Sequence, residues 1–427
     1  METSFFVNPL LIIYTPLEKP SAPLTAFHCS ENRVKLLPAA GHQNREQGMN
    51  LIELIAPCHF GLEAVLKREI LDLGYEISRV EDGKVTFFGD FEAVCYGNVF
   101  LRTAERVLLK VGSFRAETFD DLFEGVKALP WENYIPSDGK FWVAKANSVR
   151  SKLFSPSDIQ SITKKAMVES LRRKYDTSWF PETGSDFPVR IFINKDQVLV
   201  GLDTSGESLH KRGYRQLGSD APISETLAAA LIMLTPWRGS RILVDPFCGS
   251  GTFCIEAAMM AANIAPGISR EFLCQEWEHI IPKKVWYDVY NEANDLVNTD
   301  IETDIQGYDI DPDVIKIARH NAQLAGTDKL IHFQQRPVKN LSHPKKYGFI
   351  ITNPPYGERL ENDETLPQIY REFGERFRQL DSWSAYFISS WEDAQRYFGE
   401  RAAKNRKIYN GMIRTYFYSY PGPKPQR

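Results

Sequence analysis

The amino-acid sequence predicts an α/β protein whose C-terminal half forms a doubly wound, mostly parallel sheet, preceded by smaller α+β modules. After residue 222, short apolar segments alternate with helical segments, the order typical of a parallel sheet covered by helices on both faces. Near the end of the chain, the apolar segments 408–409 and 412–420 flank Asn410-Gly411, a dipeptide typical of tight β-hairpins. We therefore expect an antiparallel hairpin at the edge of the parallel sheet.

Length and composition place the chain among ordinary globular proteins. It has 427 residues, of which 43% are hydrophobic and 25% are charged. These proportions exclude disordered, collagen-like and low-complexity classes, and the length predicts two or three domains. The 51 basic and 55 acidic residues give a net charge of −4, so any contact with nucleic acid must use a local basic surface.

No segment has the pattern of a membrane span or a secretion signal. The apolar stretch 5–14 is interrupted by Asn8 and Pro9, is too short to cross a bilayer and has no basic segment before it. The cysteines form no C-x-x-C pair and have no histidine at zinc-finger spacing; they are Cys29, Cys58, Cys95, Cys248, Cys254 and Cys274. We expect a soluble protein of the reducing cytoplasm without a structural metal.

Residues 1–48 differ from the rest of the chain. They show little periodicity and are rich in turn-forming residues, whereas an alternating strand begins at Met49. We interpret 1–48 as a loosely ordered extension, with Met49 as an alternative start of the protein. A chain that begins at Met49 should then keep its full melting temperature, and a large drop would contradict the interpretation.

The next two segments predict two α+β modules, over 49–112 and 113–205. In the first, a strand from 49 is followed by an amphipathic helix ending at Gly74, a strand over 84–88 and a helix running into a strand over 96–109. In the second, a strand over 141–146 precedes a helix that begins with Ser155 as its N-cap, Pro156 as its first residue and Asp158 three residues after the cap. Strands over 187–194 and 197–203 follow, joined by a turn.

The second module carries a basic segment. Residues 145–174 contain eight basic and two acidic residues, a local charge of +6 in an acidic protein. A solvated helix face and a phosphate-contacting surface are both consistent with this pattern. The candidates for phosphate contact are Lys164, Lys165, Arg172 and Arg173, joined by Lys211 and Arg212 from the basic linker 210–215.

The C-terminal domain, 206–427, is predicted from its alternating elements. They are a helix over 222–234, a strand over 241–245, a helix over 253–262, a strand over 306–309, a helix over 312–325, and strands over 349–352 and 385–389. Residues 263–303 form an insertion in which Trp277 and Trp286 are expected to pack rather than to react.

A glycine-rich turn follows the first of these strands. In LVDPFCGSGT the strand ends at Asp245, and Gly249 and Gly251 turn the chain into a helix whose free N–H groups favour a nucleotide-like ligand. The dinucleotide fingerprint is absent because Ile255 takes the place of its third glycine, and no Gly-Lys-Ser/Thr of a P-loop follows. Dehydrogenases and nucleoside triphosphatases are therefore disfavoured.

The second strand ends in GYDIDP. Asp309 closes this strand and could accept hydrogen bonds from a ribose diol. The alternative is that Asp309 caps the helix that begins at Pro312, although Asp311 is the better candidate for the cap.

The most specific motif is FIITNPPYGERL, in which an apolar strand runs into Asn353-Pro354-Pro355-Tyr356. Neither proline has an N–H, so the turn offers mainly oxygen acceptors, the Asn353 side chain and the Pro354 carbonyl. Two fixed acceptors can hold the NH₂ of a nucleobase, and Tyr356 could stack on the base. Glu358 and Arg359 could contact the base or a phosphate, or could pair with each other.

Together these motifs resemble the class I methyltransferases that act on exocyclic amines of nucleic acids. More closely, the chain resembles the bacterial THUMP-domain RNA methyltransferases that modify guanine N2 in large-subunit ribosomal RNA. The matching segments are SKLFSPSDIQSITKKA, GLDTSGESLHKRGYR, DPFCGSGTFCIEAA, GYDIDP, TNPPYGERL and KIYNGMIRTYFY.

The resemblance implies a ferredoxin-like module over 49–112, an RNA-binding THUMP domain over 113–205 and a Rossmann-like class I methyltransferase domain over 206–427. It implies S-adenosylmethionine as the methyl donor and RNA as the partner. By position it assigns Asp309 to the cofactor's ribose and the turn Asn353, Pro354, Pro355 and Tyr356 to the target base. It assigns to the methionine end Asp245, Cys248, Gly249, Ser250, Gly251 and Thr252.

One departure from the family pattern concerns the cofactor's adenine. Such enzymes often carry an acidic residue after the third strand, whereas this chain has FQQRPVKN there, with Pro337 near that place. The alternative is that backbone groups around residues 336–338 bind the adenine. Three interpretations compete with this one. They are adenine N6 or cytosine N4 as the target amine, transfer RNA as the substrate, and a non-catalytic RNA-binding protein.

Overall fold

The computed structural model describes residues 51–216, 223–298, 300–356, 365–411 and 413–425. The extension predicted over 1–48, and the residues Glu358 and Arg359, lie outside this part of the chain. Within it, the strands form two sheets of seven strands each. The first sheet belongs to the two N-terminal modules and the second to the C-terminal domain.

The first sheet has the order β2-β3-β1-β4-β7-β6-β5, and its pairs are antiparallel except for the parallel pair β5–β6. Its strands are β1 (Ile52–Pro57), β2 (Ile77–Glu81), β3 (Lys84–Gly89), β4 (Leu108–Arg115), β5 (Lys140–Val149), β6 (Asp186–Asn194) and β7 (Gln197–Asp203). Its helices are α1 (Glu63–Asp72), α2 (Phe91–Phe100), α3 (Phe119–Lys127) and α4 (Pro156–Tyr175).

Strand β4 joins the two N-terminal modules. It pairs with β1 through Leu54 and Ile55 and with β7 along its whole length. The border predicted between residues 112 and 113 lies inside this strand, so the two modules share one hydrogen-bonded sheet. The sequence separates them because each has its own local strand and helix pattern, whereas strand pairing is a long-range contact.

The cap of α4 follows the sequence prediction. Ser155 Oγ accepts a hydrogen bond from the Asp158 amide, and Pro156 is the first helical residue. The helix buries one stripe of side chains against the sheet: Ile159, Thr163, Ala166, Met167 and Leu171. The predicted turn between β6 and β7 is also present, with positive φ at Lys195 and Asp196.

The second sheet has the order β10-β9-β8-β11-β12-β14-β13; it is parallel from β10 to β12, and the hairpin strands β14 and β13 add antiparallel pairs at one edge. Its strands are β8 (Leu243–Asp245), β9 (Ile305–Asp309), β10 (Ile331–Gln335), β11 (Phe349–Thr352), β12 (Ser384–Ser389), β13 (Lys404–Asn410) and β14 (Ile413–Tyr420). Its helices are α5 (Glu225–Met233), α6 (Thr252–Ala261), α7 (Lys283–Asp295), α8 (Pro312–Leu324), α9 (Thr365–Gln379) and α10 (Ala394–Phe398). The predicted α/β architecture with a C-terminal hairpin is confirmed.

The insertion between α6 and β9 packs against the first sheet. Trp277 is fully buried, its ring stacks on Phe187 of β6 at 4.8 Å, and its Nε1 donates to the Asp186 carbonyl at 3.0 Å. Trp286 is buried as well and stacks on Phe272. Both tryptophans therefore pack, as predicted, and the insertion attaches the C-terminal domain to the N-terminal sheet.

Among the described residues, Cys58, Cys95, Cys248, Cys254 and Cys274 are buried free thiols. Desolvation by burial raises the pKa of each of them, which keeps them protonated and unreactive. In the same part of the chain, no cluster of three or more His, Cys, Asp or Glu side chains is arranged to hold a metal ion. No helix described by the structure has both the length and the hydrophobicity of a membrane span.

Candidate active site

The two turns singled out in the sequence leave the same edge of the second sheet. Strand β8 lies between β9 and β11, and all three are parallel. The turns that follow them therefore emerge side by side at their carboxyl ends, where ligands bind in open α/β sheets. A direct hydrogen bond joins two of the turns, because Thr352 Oγ1, at the end of β11, donates to Asp245 Oδ1, at the end of β8.

Asp245 lies beneath both turns rather than in the open site. Its side chain is 1% exposed, and Oδ1 also accepts a hydrogen bond from the Phe247 amide at 3.1 Å. Desolvation by burial raises the pKa of Asp245 to about 7, against the opposing effect of the Thr352 and Phe247 hydrogen bonds. The nearby carboxyl of Asp309 raises it further. Asp245 therefore connects the glycine turn to the proline turn.

The two glycines of the turn have different surroundings. Both have positive φ, +51° at Gly249 and +89° at Gly251. A Cβ on Gly249 would meet no atom within 4 Å, whereas a Cβ on Gly251 would lie 3.0 Å from Phe333 and 3.2 Å from Ala318. Gly249 thus presents its backbone to open space, and Gly251 allows α6 to pack closely on its neighbours.

The other polar groups of this turn are bonded to the protein. Arg215 donates to Thr252 Oγ1 at 2.7 Å and forms an ion pair with Glu225 at 3.4 Å. The Ser250 carbonyl accepts from Asn321 Nδ2 at 3.1 Å. The turn is therefore held in shape from both sides, and the open space beside Gly249 is where a ligand can approach it.

Asp309 lies across from the glycine turn. Its Oδ2 accepts from the Gly249 amide at 3.0 Å and its Oδ1 from the Asp311 amide at 3.1 Å. The Ile310 amide interacts with this carboxylate as well, and since a carboxylate has about four acceptor positions, about one remains for a ligand. Burial raises the pKa of Asp309. Asp311, not Asp309, caps α8, since its side chain accepts from the Asp313 amide.

The proline turn contains an unpaired buried acceptor. Asn353 Oδ1 is inaccessible to solvent and has no hydrogen-bond partner among the described residues. A buried polar atom without a partner costs roughly 1–3 kcal/mol, so a ligand group that donates a hydrogen bond to Asn353 Oδ1 would recover that free energy. Tyr370 supports this turn from within the domain, because its hydroxyl donates to the Pro355 carbonyl at 3.3 Å and bonds Ser389 Oγ at 2.8 Å.

Tyr356 differs from the sequence expectation. The sequence predicted a ring face open to a base, whereas the side chain is 2% exposed and its hydroxyl accepts a hydrogen bond from Asn410 Nδ2 at 3.1 Å. The phenol hydroxyl of a buried tyrosine needs a polar partner, and the C-terminal hairpin supplies one. In this structure Tyr356 connects the proline turn to that hairpin.

The predicted RNA-contacting residues fall into three environments. Lys165, Arg172 and Arg173 are exposed on α4, spaced seven and eight residues apart so that they share one face of the helix. Lys164 is half-buried, pairs with Glu182 at 2.8 Å and donates to a backbone carbonyl. Lys211 is exposed and pairs with Glu207.

Arg212 requires a correction. It is 4% exposed, its Nε lies 3.3 Å from Glu256 Oε1, and its other nitrogens donate to the carbonyls of Leu209 and Arg102. Because its guanidinium is buried and bonded within the protein, it cannot contact RNA. The basic linker thus includes a residue of a buried ion pair, which the local sequence does not distinguish from an exposed charge.

Sequence reasoning missed four residues that shape this site: Arg215, Thr352, Tyr370 and Asn410. Thr352 and Asn410 belong to two of the sequence motifs, but the motifs indicate only a strand end and a turn at these positions. Arg215 belongs to the segment 210–215, where its charge was interpreted as part of a linker. No local signal marked Tyr370, since its partners are 15 and 19 residues away along the chain.

Comparison with known proteins gives three matching family models. Residues 212–418 match the RMKL-like methyltransferase domain, residues 53–108 match the RlmL ferredoxin-like domain, and residues 116–203 match the THUMP domain. The matched segments follow the order of the three predicted domains.

Full-length relatives and solved structures agree with these matches. The chain is 46% identical over 382 residues to "Putative RNA methyltransferase YpsC" of Bacillus subtilis strain 168, covering 89% of this chain and 98% of the relative. It is 35% identical to "Ribosomal RNA large subunit methyltransferase K/L" of Syntrophotalea carbinolica, covering 85% of this chain but 52%, about half, of that longer relative. A crystal structure of "SMU.472, a putative methyltransferase complexed with SAH" is 42% identical, with a TM-score of 0.82, and the match covers 89% of this chain and all of that one.

Proposed function

The chain belongs to the family of RNA methyltransferases that combine a ferredoxin-like module, a THUMP domain and an RMKL-like methyltransferase domain, and from this premise we propose that it methylates the exocyclic N2 amine of a guanine in large-subunit (23S) ribosomal RNA. The methyl donor is S-adenosylmethionine, in keeping with the SAH complex of the 42% identical neighbour. The large-subunit RNA is proposed from the similarity to the K/L relative.

The observation that carries the proposal is the unpaired Asn353 Oδ1. An aromatic NH₂ group provides two N–H donors, and Asn353 Oδ1 with the Pro354 carbonyl would accept them. The Thr352–Asp245 hydrogen bond keeps these acceptors beside the glycine turn. The amine would therefore be held next to the place where a methyl donor binds.

The residues around the glycine turn fit the proposed cofactor. S-adenosylmethionine, when bound, supplies a methyl group made electrophilic by a sulfonium. The open space beside Gly249 lets a ligand approach the turn closely, and the carboxylate of Asp309 has acceptor capacity left for a ribose hydroxyl. The buried side chains of Asp245 and Thr252 would keep the turn in its binding shape.

The proposed chemistry depends on positioning. An exocyclic aromatic amine is a weak nucleophile, but its nitrogen becomes more acidic after attack and can release a proton without a strong base. The task of the protein is to hold the amine in line with the methyl group, which can contribute several kcal/mol to catalysis. The proline turn suits this task because it offers acceptors and no N–H that would compete with the amine.

We further propose a division of labour between the domains. The exposed basic face of α4 in the THUMP module would bind the RNA backbone, and the C-terminal domain would receive one unpaired or flipped base. Transfer RNA, and adenine N6 or cytosine N4, are the competing substrates, since the same two acceptors would also bind those amines.

Nucleoside mass spectrometry of ribosomal and transfer RNA from a deletion strain tests the proposal. We expect the loss of N2-methylguanosine from the large ribosomal RNA, and its restoration when purified protein and S-adenosylmethionine are added to that RNA. The Asn353→Ala protein should not restore it. Loss of another methylated base, or a loss confined to transfer RNA, would establish a competing substrate, and unchanged nucleosides in both RNAs would contradict the proposed function.

A further inference from the structure

The tip of the C-terminal hairpin lies against an exposed aromatic residue of the N-terminal module. We propose that this residue, Phe60, stacks on an unpaired RNA nucleotide adjacent to the target base, with Tyr409 behind it and Lys407 and Arg414 near the phosphate. The inference rests on the proposed function, because it concerns the RNA nucleotide next to the base that the proline turn would bind.

The pairing of the strands places the hairpin tip at the edge of the candidate active site. Ser389, the last residue of β12, pairs with Tyr416, whereas β14 begins three residues earlier at Ile413. Because β14 is antiparallel to β12, these residues project beyond the carboxyl edge of the sheet. Asn410 bridges this tip to the proline turn through its hydrogen bond to Tyr356.

The loop before α1 meets the hairpin from the other side. The rings of Phe60 and Tyr409 make an edge-to-face contact at 6.2 Å. Arg406 Nη1 donates to the Gly61 carbonyl at 3.0 Å, and His59 Nε2 lies 3.2 Å from Ser224 Oγ, just before α5. The loop that carries Phe60 is therefore attached to the C-terminal domain at two places, the hairpin and the segment just before α5.

Phe60 is held in place but not covered. Its side chain is 48% exposed, although a phenylalanine gains free energy from burial. Tyr409 contacts it, so one side of the ring is supported while the remainder faces solvent. A fixed, half-exposed aromatic ring is what recognition of unstacked RNA bases uses.

The charges on the hairpin beside the ring match a polyanion. Residues 404–420 contain four basic residues, Lys404, Arg406, Lys407 and Arg414, and no acidic residue. Arg414 is paired directly across from Tyr409, which places both side chains on one face of the hairpin, and Lys407 is two residues before Tyr409 on that same face. The Lys407 ammonium lies 5.3 Å from the centre of the Tyr409 ring. The acidic neighbour of Arg414, Glu392, is at 3.9 Å and is itself 91% exposed.

These observations favour a nucleotide over a protein segment as the occupant. An apolar protein partner would leave the two cations facing an uncharged surface, whereas a nucleotide supplies both a ring for Phe60 and a phosphate for Lys407 or Arg414. The short path from Tyr409 through Asn410 to Tyr356 places this nucleotide beside the target base.

Steady-state kinetics on deproteinised ribosomal RNA from the deletion strain test the inference. Phe60→Ala should raise the KM for RNA by about tenfold to a hundredfold, the equivalent of one lost base stack, and leave the KM for S-adenosylmethionine unchanged. Phe60→Trp should restore the wild-type KM, whereas Phe60→Leu should not, since leucine is apolar but cannot stack. Tyr287→Ala, which removes a 66% exposed aromatic side chain on α7, is the matched control.

Three results would overturn the inference. One is a KM of Phe60→Ala equal to that of Tyr287→Ala. Another is full recovery by leucine, which would indicate simple packing. The third is a defect seen with assembled ribosomal particles but not with deproteinised RNA, which would indicate a protein partner. Filter binding of the same RNA to the wild-type and Phe60→Ala proteins measures RNA affinity without methyl transfer. An inactive wild-type enzyme would therefore contradict the proposed function, whereas the stacking of Phe60 on RNA could still be tested by this binding measurement.

Discussion

A single buried carboxyl group connects the two turns of the candidate active site. Asp245 accepts hydrogen bonds from Thr352 and from the Phe247 amide, and its burial raises its pKa to about 7. In an unfolded chain an aspartate loses its proton near pH 4. Between these two pH values the folded protein binds more protons than the unfolded chain, so the contribution of Asp245 to stability falls as the pH rises from about 4 to about 7.

Asp245→Asn removes this titration and keeps an oxygen that can accept from Thr352. We expect the free energy of unfolding of the variant, relative to wild type, to rise between pH 5 and pH 8. Urea unfolding at both pH values measures the difference. Asp313→Asn, at a carboxyl that is 78% exposed, is the control and should show no such trend. A difference that does not change with pH would mean that Asp245 does not titrate in this range.

Asn353 has the more direct role in our proposal. Asn353→Ala removes the unpaired oxygen and should lower kcat by about a hundredfold or more, the cost of a mispositioned reactant. The affinity for S-adenosylmethionine should change by no more than a few fold, because the glycine turn is untouched. Methyl-transfer kinetics and calorimetric titration of the cofactor measure the two effects, with the exposed Asn291→Ala on α7 as control. Wild-type turnover by Asn353→Ala would remove Asn353 from the mechanism.

At the scale of elements, helix α4 separates into a side that packs and a side that faces solvent. Its apolar stripe is buried against the first sheet, while Lys165, Arg172 and Arg173 are exposed. Part of the basic character seen in the sequence is neutralised in the fold, since Lys152, Lys164 and Lys174 pair with glutamates of other segments. The surface available to a phosphate backbone is therefore smaller than the local charge of 145–174 indicates.

Replacing Lys165, Arg172 and Arg173 by alanine should weaken RNA binding. It should also reduce the magnitude of the slope of log affinity against log salt by about 2 to 3, the change expected for the loss of three phosphate contacts. Binding measured over a range of salt concentrations gives this slope. The double variant Lys283→Ala and Lys284→Ala, at two exposed lysines of α7, is the matched control. An unchanged slope in the triple variant would exclude this face of α4 from RNA contact.

At the scale of the whole molecule, the insertion before β9 determines how the two sheets are attached. Trp277 packs into the first sheet against Phe187, and Tyr96 of α2 donates a hydrogen bond to Glu292 of α7. The RNA-binding module that we propose is thereby held in a defined position relative to the second sheet. The insertion therefore has a structural role.

Trp277→Ala should lower the free energy of unfolding by about 3 to 5 kcal/mol, because it removes a fully buried aromatic side chain. We also expect unfolding to separate into two steps, since the lost contact lies between the two sheets. Urea unfolding followed by fluorescence and by circular dichroism measures both effects. Trp179→Ala, at a tryptophan that is 72% exposed, is the control. Equal stabilities of the two variants would show that Trp277 does not hold the sheets together.

Local sequence patterns predicted the motifs of this protein and most of its elements, but not β2, α3 or α9. The caps of α4 and α8, the strand β11 and the Asn410-Gly411 hairpin were predicted because each depends on residues a few positions apart. The positions of the two turns at one sheet edge also followed, because parallel strands end at a common edge.

Which side chains meet depends on contacts between distant segments. The partner of Asp245 is 107 residues away, the ion pair that buries Arg212 spans 44 residues, and the hydrogen bond that holds Tyr356 spans 54. The joining of the two N-terminal modules through β4 is likewise a pairing of distant strands. Burial and ionic partners depend on contacts between segments far apart in the chain, and local periodicity, spacing and charge do not contain that information.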